Sequence, residues 1–108
     1  MGMTTLRESK ERLLTQISTQ ARLNIPGVAG FGSDKALRRL KEIHTLVSAL
    51  PLSNHIFDWY RKCAGKVRID LIEDSVRIYR VEDQMIEVVE FADGDICSLI
   101  YEGLESKN

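Results

Sequence analysis

Residues 66–101 decide the fold, and they read KVRIDLIEDSVRIYRVEDQMIEVVEFADGDICSLIY. Apolar residues occupy every second position at the start of this stretch, as Val67, Ile69 and Leu71 do. A period of two is typical of half-buried β-strands. An Asp-Gly pair between two such runs, at Asp93 and Gly94, is the strongest short hairpin signal in the chain. The pattern therefore predicts a sheet built from hairpins.

Short polar turns divide the stretch into four runs. The predicted strands are 66–72, 76–81, 85–91 and 96–101. Turns as short as those at 73–75 and 82–84 join antiparallel neighbours. The sequence thus predicts a four-stranded antiparallel meander.

Three helices are predicted before the sheet, because the apolar period changes to 3.6 in residues 1–65. Their expected spans are Thr4 to Leu23, Asp34 to about Leu50, and a short helix from a cap at Ser53 to Ala64. Thr5 and Glu8 have capping-box spacing at the first start, and Ser33 or Asp34 is expected to cap the second. The stretch 24–33 holds three glycines and a proline, so it is predicted to be a loop.

Helices followed by strands predict an α+β fold: three N-terminal helices and then the four-stranded antiparallel meander, with the two halves segregated. The 108 residues suit one domain with one core. We expect a single domain 1–108, with a helical half 1–65, a sheet half 66–102 and a polar tail 103–108.

Two apolar surfaces exceed what one core needs. The first helix has a narrow apolar stripe resembling a short coiled-coil seam, and such a helix must dock on its own domain or pair with a second copy. The second face of the sheet is also partly apolar, so either the first helix or another subunit is expected to cover it. The sequence predicts a homodimer whose interface includes Leu6, Leu13, Ile17, Tyr79, Val81, Val89 and Phe91.

The formal net charge of -1 conceals an uneven distribution. Residues 1–65 carry ten Lys/Arg and five Asp/Glu, whereas residues 66–108 carry five and eleven. The basic residues are densest at the start of the second helix, where the helix dipole disfavours cations. The predicted contact site for a macromolecule joins this cluster to the preceding loop and comprises Phe31, Lys35, Arg38, Arg39 and Lys41.

The glycine-rich loop does not match a phosphate-binding loop. Gly27 and Gly32 have suitable spacing, but Ser33 and Asp34 stand where such a loop requires Lys and Ser or Thr. The loop also follows a predicted helix, whereas the motif follows a strand. Nucleotide binding is therefore not expected.

The histidines and cysteines form no recognisable reactive set. His44 falls within the apolar arc of the second helix, and the pair His55 and Asp58 lacks a third metal ligand nearby in sequence. Cys63 and Cys97 have no CxxC spacing and are expected to be reduced. We therefore expect no catalytic residues, no metal and no cofactor, and a protein that is not an enzyme.

Three segments of the sheet half permit one family comparison. GKVRI at 65–69, VRIYRV at 76–81 and IEVV at 86–89 resemble the C-terminal sheet of the small RelE/ParE-type toxins. Some of those toxins are ribosome-dependent ribonucleases, so the resemblance implies an RNA-directed toxin or a nucleic-acid binder. That family opens with a strand and is generally basic, whereas this chain opens with a predicted helix and its sheet half is acidic.

These observations predict a small module that acts by binding. We expect a cytoplasmic homodimer that contacts a protein partner through the glycine-rich loop and the basic helix start. The RNA-directed reading is the alternative. No membrane association is expected, because no apolar run approaches the roughly 18 residues of a spanning helix and no signal-peptide core follows Met1.

Overall fold

Three helices precede four strands in this computed structural model, which describes the backbone of residues 4–23, 33–82, 85–91 and 97–103 and the side chains of residues 4–23 and 33–80. The helices are α1 (Leu6–Leu23), α2 (Asp34–Ala49) and α3 (His55–Lys62). The strands are β1 (Val67–Ile72), β2 (Ser75–Glu82), β3 (Met85–Phe91) and β4 (Cys97–Gly103). The predicted α+β class, with three helices followed by an antiparallel sheet, is confirmed.

Side-chain caps begin the first two helices as predicted. The Thr5 backbone N–H donates to Glu8 Oε1 at 2.9 Å, and the Glu8 N–H donates to Thr5 Oγ1 at 3.0 Å. These reciprocal bonds are a capping box, which satisfies N–H groups that a helix start leaves unpaired. Ser33 caps α2 by accepting the Ala36 N–H at 3.2 Å. Both helices therefore start where local sequence chemistry indicates.

The ends of α3 differ from the prediction. Asn54, not Ser53, is the N-cap, and its Oδ1 accepts a backbone N–H at 3.0 Å. The helix ends at Lys62 instead of Ala64. Ala64 and Gly65 have φ angles of 52° and 84°, and a left-handed backbone ends a helix.

One hydrophobic core lies between the helices and the sheet. Its buried members come from all three helices, the connections after α2 and α3, and the first two strands: Leu13, Ile17, Leu40, Ile43, Val47, Leu50, Ile56, Phe57, Trp59, Cys63, Val67, Ile69 and Ile78. The apolar arc of α2 contributes residues at helical spacing, such as Leu40, Ile43 and Val47. This burial supplies the main favourable term in folding.

Helix α1 packs on its own domain, against α2 and α3. Leu13 and Ile17 are both 0% exposed there. The interface prediction is corrected for these two residues: they are core residues, and a second copy cannot reach them while α1 stays in place. A coiled-coil spacing and a core-facing stripe share the same three- and four-residue steps, so the sequence could not separate them.

Two polar side chains of α1, those of Lys10 and Gln16, form hydrogen bonds with other parts of the fold. Lys10 Nζ donates to the Leu50 carbonyl at 2.7 Å, at the C-terminal end of α2, and lies 5.5 Å from the centroid of the Phe57 ring. A cation is favourable at both places. Gln16 Nε2 donates to the Val67 carbonyl at 2.9 Å on strand β1.

The register of the sheet assigns its two faces. Its strand order is β1-β2-β3-β4, and every neighbouring pair is antiparallel. Directly paired residues lie on the same face of a sheet. The row Ile69–Ile78–Val89–Leu99 therefore belongs to the helix-covered face, because Ile69 and Ile78 are core residues.

The opposite face, which we call the outer face, carries the row Arg68–Tyr79–Val88–Ile100 and the pair Val81–Ile86. This register corrects one grouping: Val89 and Phe91 do not share a face with Tyr79 and Val81. Strand β3 is apolar at both parities, so its sequence alone does not say which side faces the core. The register set by the connection from β2 decides it.

Candidate functional site

The start of α2 is bonded to the β1–β2 turn. The Ser33 N–H donates to the Glu73 carbonyl at 3.1 Å. The Ser33 hydroxyl lies 2.6 Å from Asp74 Oδ1 and 3.0 Å from the Glu73 carbonyl, and we assign its single proton to the nearer carboxylate. These bonds hold two segments together that are forty residues apart in the chain.

The turn itself is conformationally strained. Glu73 has a φ of 54°, a left-handed conformation that costs a residue with a Cβ roughly 1–2 kcal/mol. Strained residues of this kind persist where surrounding contacts fix them, and they concentrate at functional sites. Here the fixing contacts are the Ser33 N–H on the Glu73 carbonyl and the Ser33 hydroxyl on the adjacent Asp74 carboxylate.

A groove opens between α2 and this turn. It has a volume of about 430 Å³. Helix α2 provides one wall and the hairpin provides the other, with the lining Lys35, Arg38, Arg39, Glu42, Asp74, Ser75 and Val76. We call this feature the basic groove, because three of its residues are cationic.

The charges of the basic groove are mixed. Arg39 forms an ion pair with Glu42, with Nη1 and Oε1 3.1 Å apart. Lys35 and Arg38 are exposed at the same helix surface, so they present positive charge to solvent. Glu42 and Asp74 add two carboxylates to the lining, which leaves a small positive excess.

The structure brings together three of the five predicted binding residues. Lys35, Arg38 and Arg39 line the groove, and exposed Lys41 lies on α2 outside its lining. Phe31 lies outside the described residues. The hairpin wall at 74–76 was not predicted, because no local sequence pattern indicates that this turn packs beside a helix start forty residues earlier.

A smaller cavity of about 180 Å³ lies between the start of α1 and the end of α3, beside Tyr60. The Tyr60 hydroxyl donates to Gln16 Oε1 at 2.6 Å, and the same amide donates to β1. Burial raises the pKa of Tyr60 above its ordinary value, against the opposing charge of Arg12. This network joins α1, α3 and β1, so its role is structural.

Tyr79 is half-buried on the outer face of the sheet. Its hydroxyl donates to Asp70 Oδ2 at 2.6 Å, and the Arg77 guanidinium lies 5.5 Å from its ring centroid. The hydrogen bond to Asp70 raises the pKa of Tyr79, and burial adds to the shift. Of the other predicted interface residues, Leu6 is half-buried, and the side chains of Val81, Val89 and Phe91 lie outside the described set.

Among the described residues, no three His, Cys, Asp or Glu side chains are close enough together to hold a metal ion. Of the helices described, none is long and apolar enough to cross a membrane. Comparisons with protein-family models, curated proteins and solved structures found no match for this chain. The RelE/ParE-type resemblance therefore stays a prediction from the sheet sequence.

Proposed function

We propose that this chain is a non-catalytic protein-binding module whose basic groove receives an acidic segment of a partner protein. One observation carries the proposal: the groove combines exposed Lys35 and Arg38 with the carboxylates of Glu42 and Asp74. A protein segment offers both carboxylates for the cations and N–H groups for the carboxylates. The mixed lining thus favours an acidic protein segment, whose carboxylates suit the cations and whose N–H groups suit the carboxylates.

A nucleic-acid backbone suits the same lining less well. Phosphates attract Lys and Arg but offer no donor to a carboxylate, and binding to them depends on neutralising many phosphates at once. Asp74 and Glu42 lie within the groove and would repel that backbone. The mixed lining therefore favours protein over RNA.

The bonds between Ser33 and the turn support a preformed site. Because these bonds fix both walls, little ordering is needed when a segment enters, and a rigid site loses less conformational entropy on binding. Arg38 can hold a partner carboxylate through two parallel hydrogen bonds, a geometry that Lys cannot offer.

The proposal extends to the setting in which the module works. We propose that the four-stranded meander forms one continuous sheet. We also propose that the active form is a homodimer and that it is located in the cytoplasm. The loop that contains Phe31 precedes the capped start of α2 directly, so it is proposed to border the groove and contact the partner.

The test compares two probes by fluorescence anisotropy. One is a labelled twelve-residue peptide of alternating Glu and Leu, and the other is a labelled twenty-nucleotide RNA of mixed sequence. We expect the peptide to bind and Arg38→Glu to weaken its affinity about tenfold or more, the range for losing a charged hydrogen-bonded pair. The matched control is Lys41→Glu, which reverses a charge on the same helix outside the groove and should change affinity little.

Two results contradict the proposal. One is equal loss of peptide binding in Arg38→Glu and Lys41→Glu, which indicates only general charge attraction. The other is tighter binding of the RNA with a steep fall between low and moderate salt, lost in Arg38→Glu. That second result supports the nucleic-acid alternative.

A further inference from the structure

On strands β1 and β2, the described side chains of the outer face are exposed, as those of Arg68 and Ile72 are, or half-buried, as that of Tyr79 is. The helices contact the opposite face, where Ile69 and Ile78 are buried in the core. On the outer face, the register positions of Tyr79, Val88 and Ile100 form one apolar row. Apolar positions grouped on one face can take part in an interaction.

Charge on the outer face is divided between its two halves. Lys66, Arg68 and Arg77 lie at positions of this face on the β1–β2 side, with Asp70 among them, which gives +2. Glu90 and the more distant Glu102 lie at positions of the same face on the β3–β4 side, which gives −2. The apolar row crosses both halves, between the row that holds Arg77 and Glu90 and the row that holds Lys66 and Glu102.

We infer that this outer face packs against the same face of a second copy of the chain, with the two-fold axis parallel to the strands between β2 and β3. That axis places β1 over β4 of the copy and β2 over β3 of the copy. The positive half of each sheet then lies over the negative half of the other. The inference rests on the homodimer of the proposed function and assigns its interface, whereas the basic groove is built from other residues.

The register turns this arrangement into residue pairs. Arg77 and Glu90 lie in one row across the strands, so the axis sets Arg77 of one chain opposite Glu90 of the other. Lys66 precedes β1 with the parity of Arg68, and it falls opposite Glu102 of the copy. The apolar positions meet in the centre, with Tyr79 facing Val88.

A second copy suits this face for a physical reason. An isologous interface must be self-complementary, because the same patch serves both partners. A face with equal and opposite charges on its two halves meets that condition under the proposed axis, and complementary charge fixes the register of an interface. Sheets also pack face to face with their strands within about 30° of each other, which keeps these rows in contact.

The experiment uses charge reversal and sedimentation equilibrium on the full chain. One variant carries Lys66→Glu and Arg77→Glu, and the other carries Glu90→Arg and Glu102→Lys. Each alone sets like charges opposite each other at both pairs, so each is expected to be monomeric where the wild type is dimeric. Mixed in equal amounts, they restore opposite charges at every pair, and a heterodimer is expected.

The test has one control variant and three results that would contradict the inference. Lys35→Glu with Lys41→Glu makes the same change in net charge as Lys66→Glu with Arg77→Glu, but on α2, and this variant should remain dimeric. Circular dichroism checks that each variant is folded, and the single Glu102→Lys, expected to weaken the dimer about tenfold, replaces a double variant that does not fold. A wild type that stays monomeric at high concentration, double variants that dimerise alone, or a mixture that does not associate would overturn the inference.

A failure here is distinguishable from failure of partner binding in the basic groove, although a monomeric wild type would also remove the homodimer from the proposed function. Peptide binding depends on Arg38 in the groove, whereas dimerisation depends on charges of the sheet face. The two measurements share no varied residue, apart from the shared position Lys41 in their controls.

Discussion

Ile78 and Tyr79 are neighbours on β2, yet they belong to opposite faces of the sheet and are held by different forces. Ile78 is 1% exposed and packs in the core beneath the helices. Tyr79 is held by polar contacts instead, through its hydrogen bond to Asp70 and the nearby Arg77. The helix-covered face obtains its apolar complement from the same chain, whereas Tyr79 on the outer face is held by a hydrogen bond and a nearby guanidinium.

The largest expected effect comes from replacing an isoleucine by alanine on each of the two faces of the sheet. Ile78→Ala should lower the free energy of unfolding by about 2–5 kcal/mol, because it removes buried methyl groups and leaves a cavity. Ile72→Ala should change it by about 0.5 kcal/mol or less, since Ile72 is 48% exposed. Urea unfolding of dilute protein, where dimerisation contributes little, measures both. Equal losses would remove the distinction between the faces.

A smaller effect of opposite sign is expected at Glu73, in the hairpin that joins β1 to β2. Glu73→Gly should raise the free energy of unfolding by about 1 kcal/mol, because glycine adopts the left-handed φ of 54° without a Cβ penalty. Glu73→Ala is the matched control: it removes the same carboxylate but keeps the Cβ, so no gain should follow. Urea midpoints compare the three chains. A gain in the alanine variant instead would assign the effect to charge.

The smallest effect concerns the contribution of Tyr79 to the pH dependence of the free energy of unfolding. The pKa of Tyr79 is raised in the folded chain, so the fold favours the protonated phenol. This stabilisation is complete below the unfolded pKa of about 10 and is lost as pH rises through the folded value. Unfolding measured from pH 8 to 11 should therefore show a shallower alkaline loss in Tyr79→Phe than in the wild type. Identical slopes would contradict the role of the hydrogen bond to Asp70.

Local chemistry made parts of this fold predictable. The capping pair Thr5 and Glu8 and the cap at Ser33 were identified from spacing alone, because a cap involves residues within one turn of helix. The change of apolar period at residue 66 located the sheet, because periodicity is also a property of neighbouring residues. Errors of one or two residues at α3 came from choosing between adjacent polar residues and from a left-handed backbone after Cys63.

Tertiary placement was not predictable in the same way. The cluster of Lys35, Arg38 and Arg39 was found from composition, but its opposite wall at Asp74 depends on packing between distant segments. The stripe of α1 gave no sign of whether a helix or a second chain would cover it. Strand β3 shows a similar limit, because both of its faces are apolar and a turn of one more residue would exchange them.

The hydrogen bond from Gln16 to β1 bears on how this protein avoids aggregation. Strand β1 lies at an edge of the sheet, and an edge strand offers unpaired backbone groups as a template for a foreign strand. The carboxamide of Gln16 already occupies the carbonyl of Val67 at the beginning of that edge. An incoming strand would have to displace the Gln16 amide before it could pair with β1 at this point. Helix α1 therefore hinders fibrillar growth at that end of the edge strand.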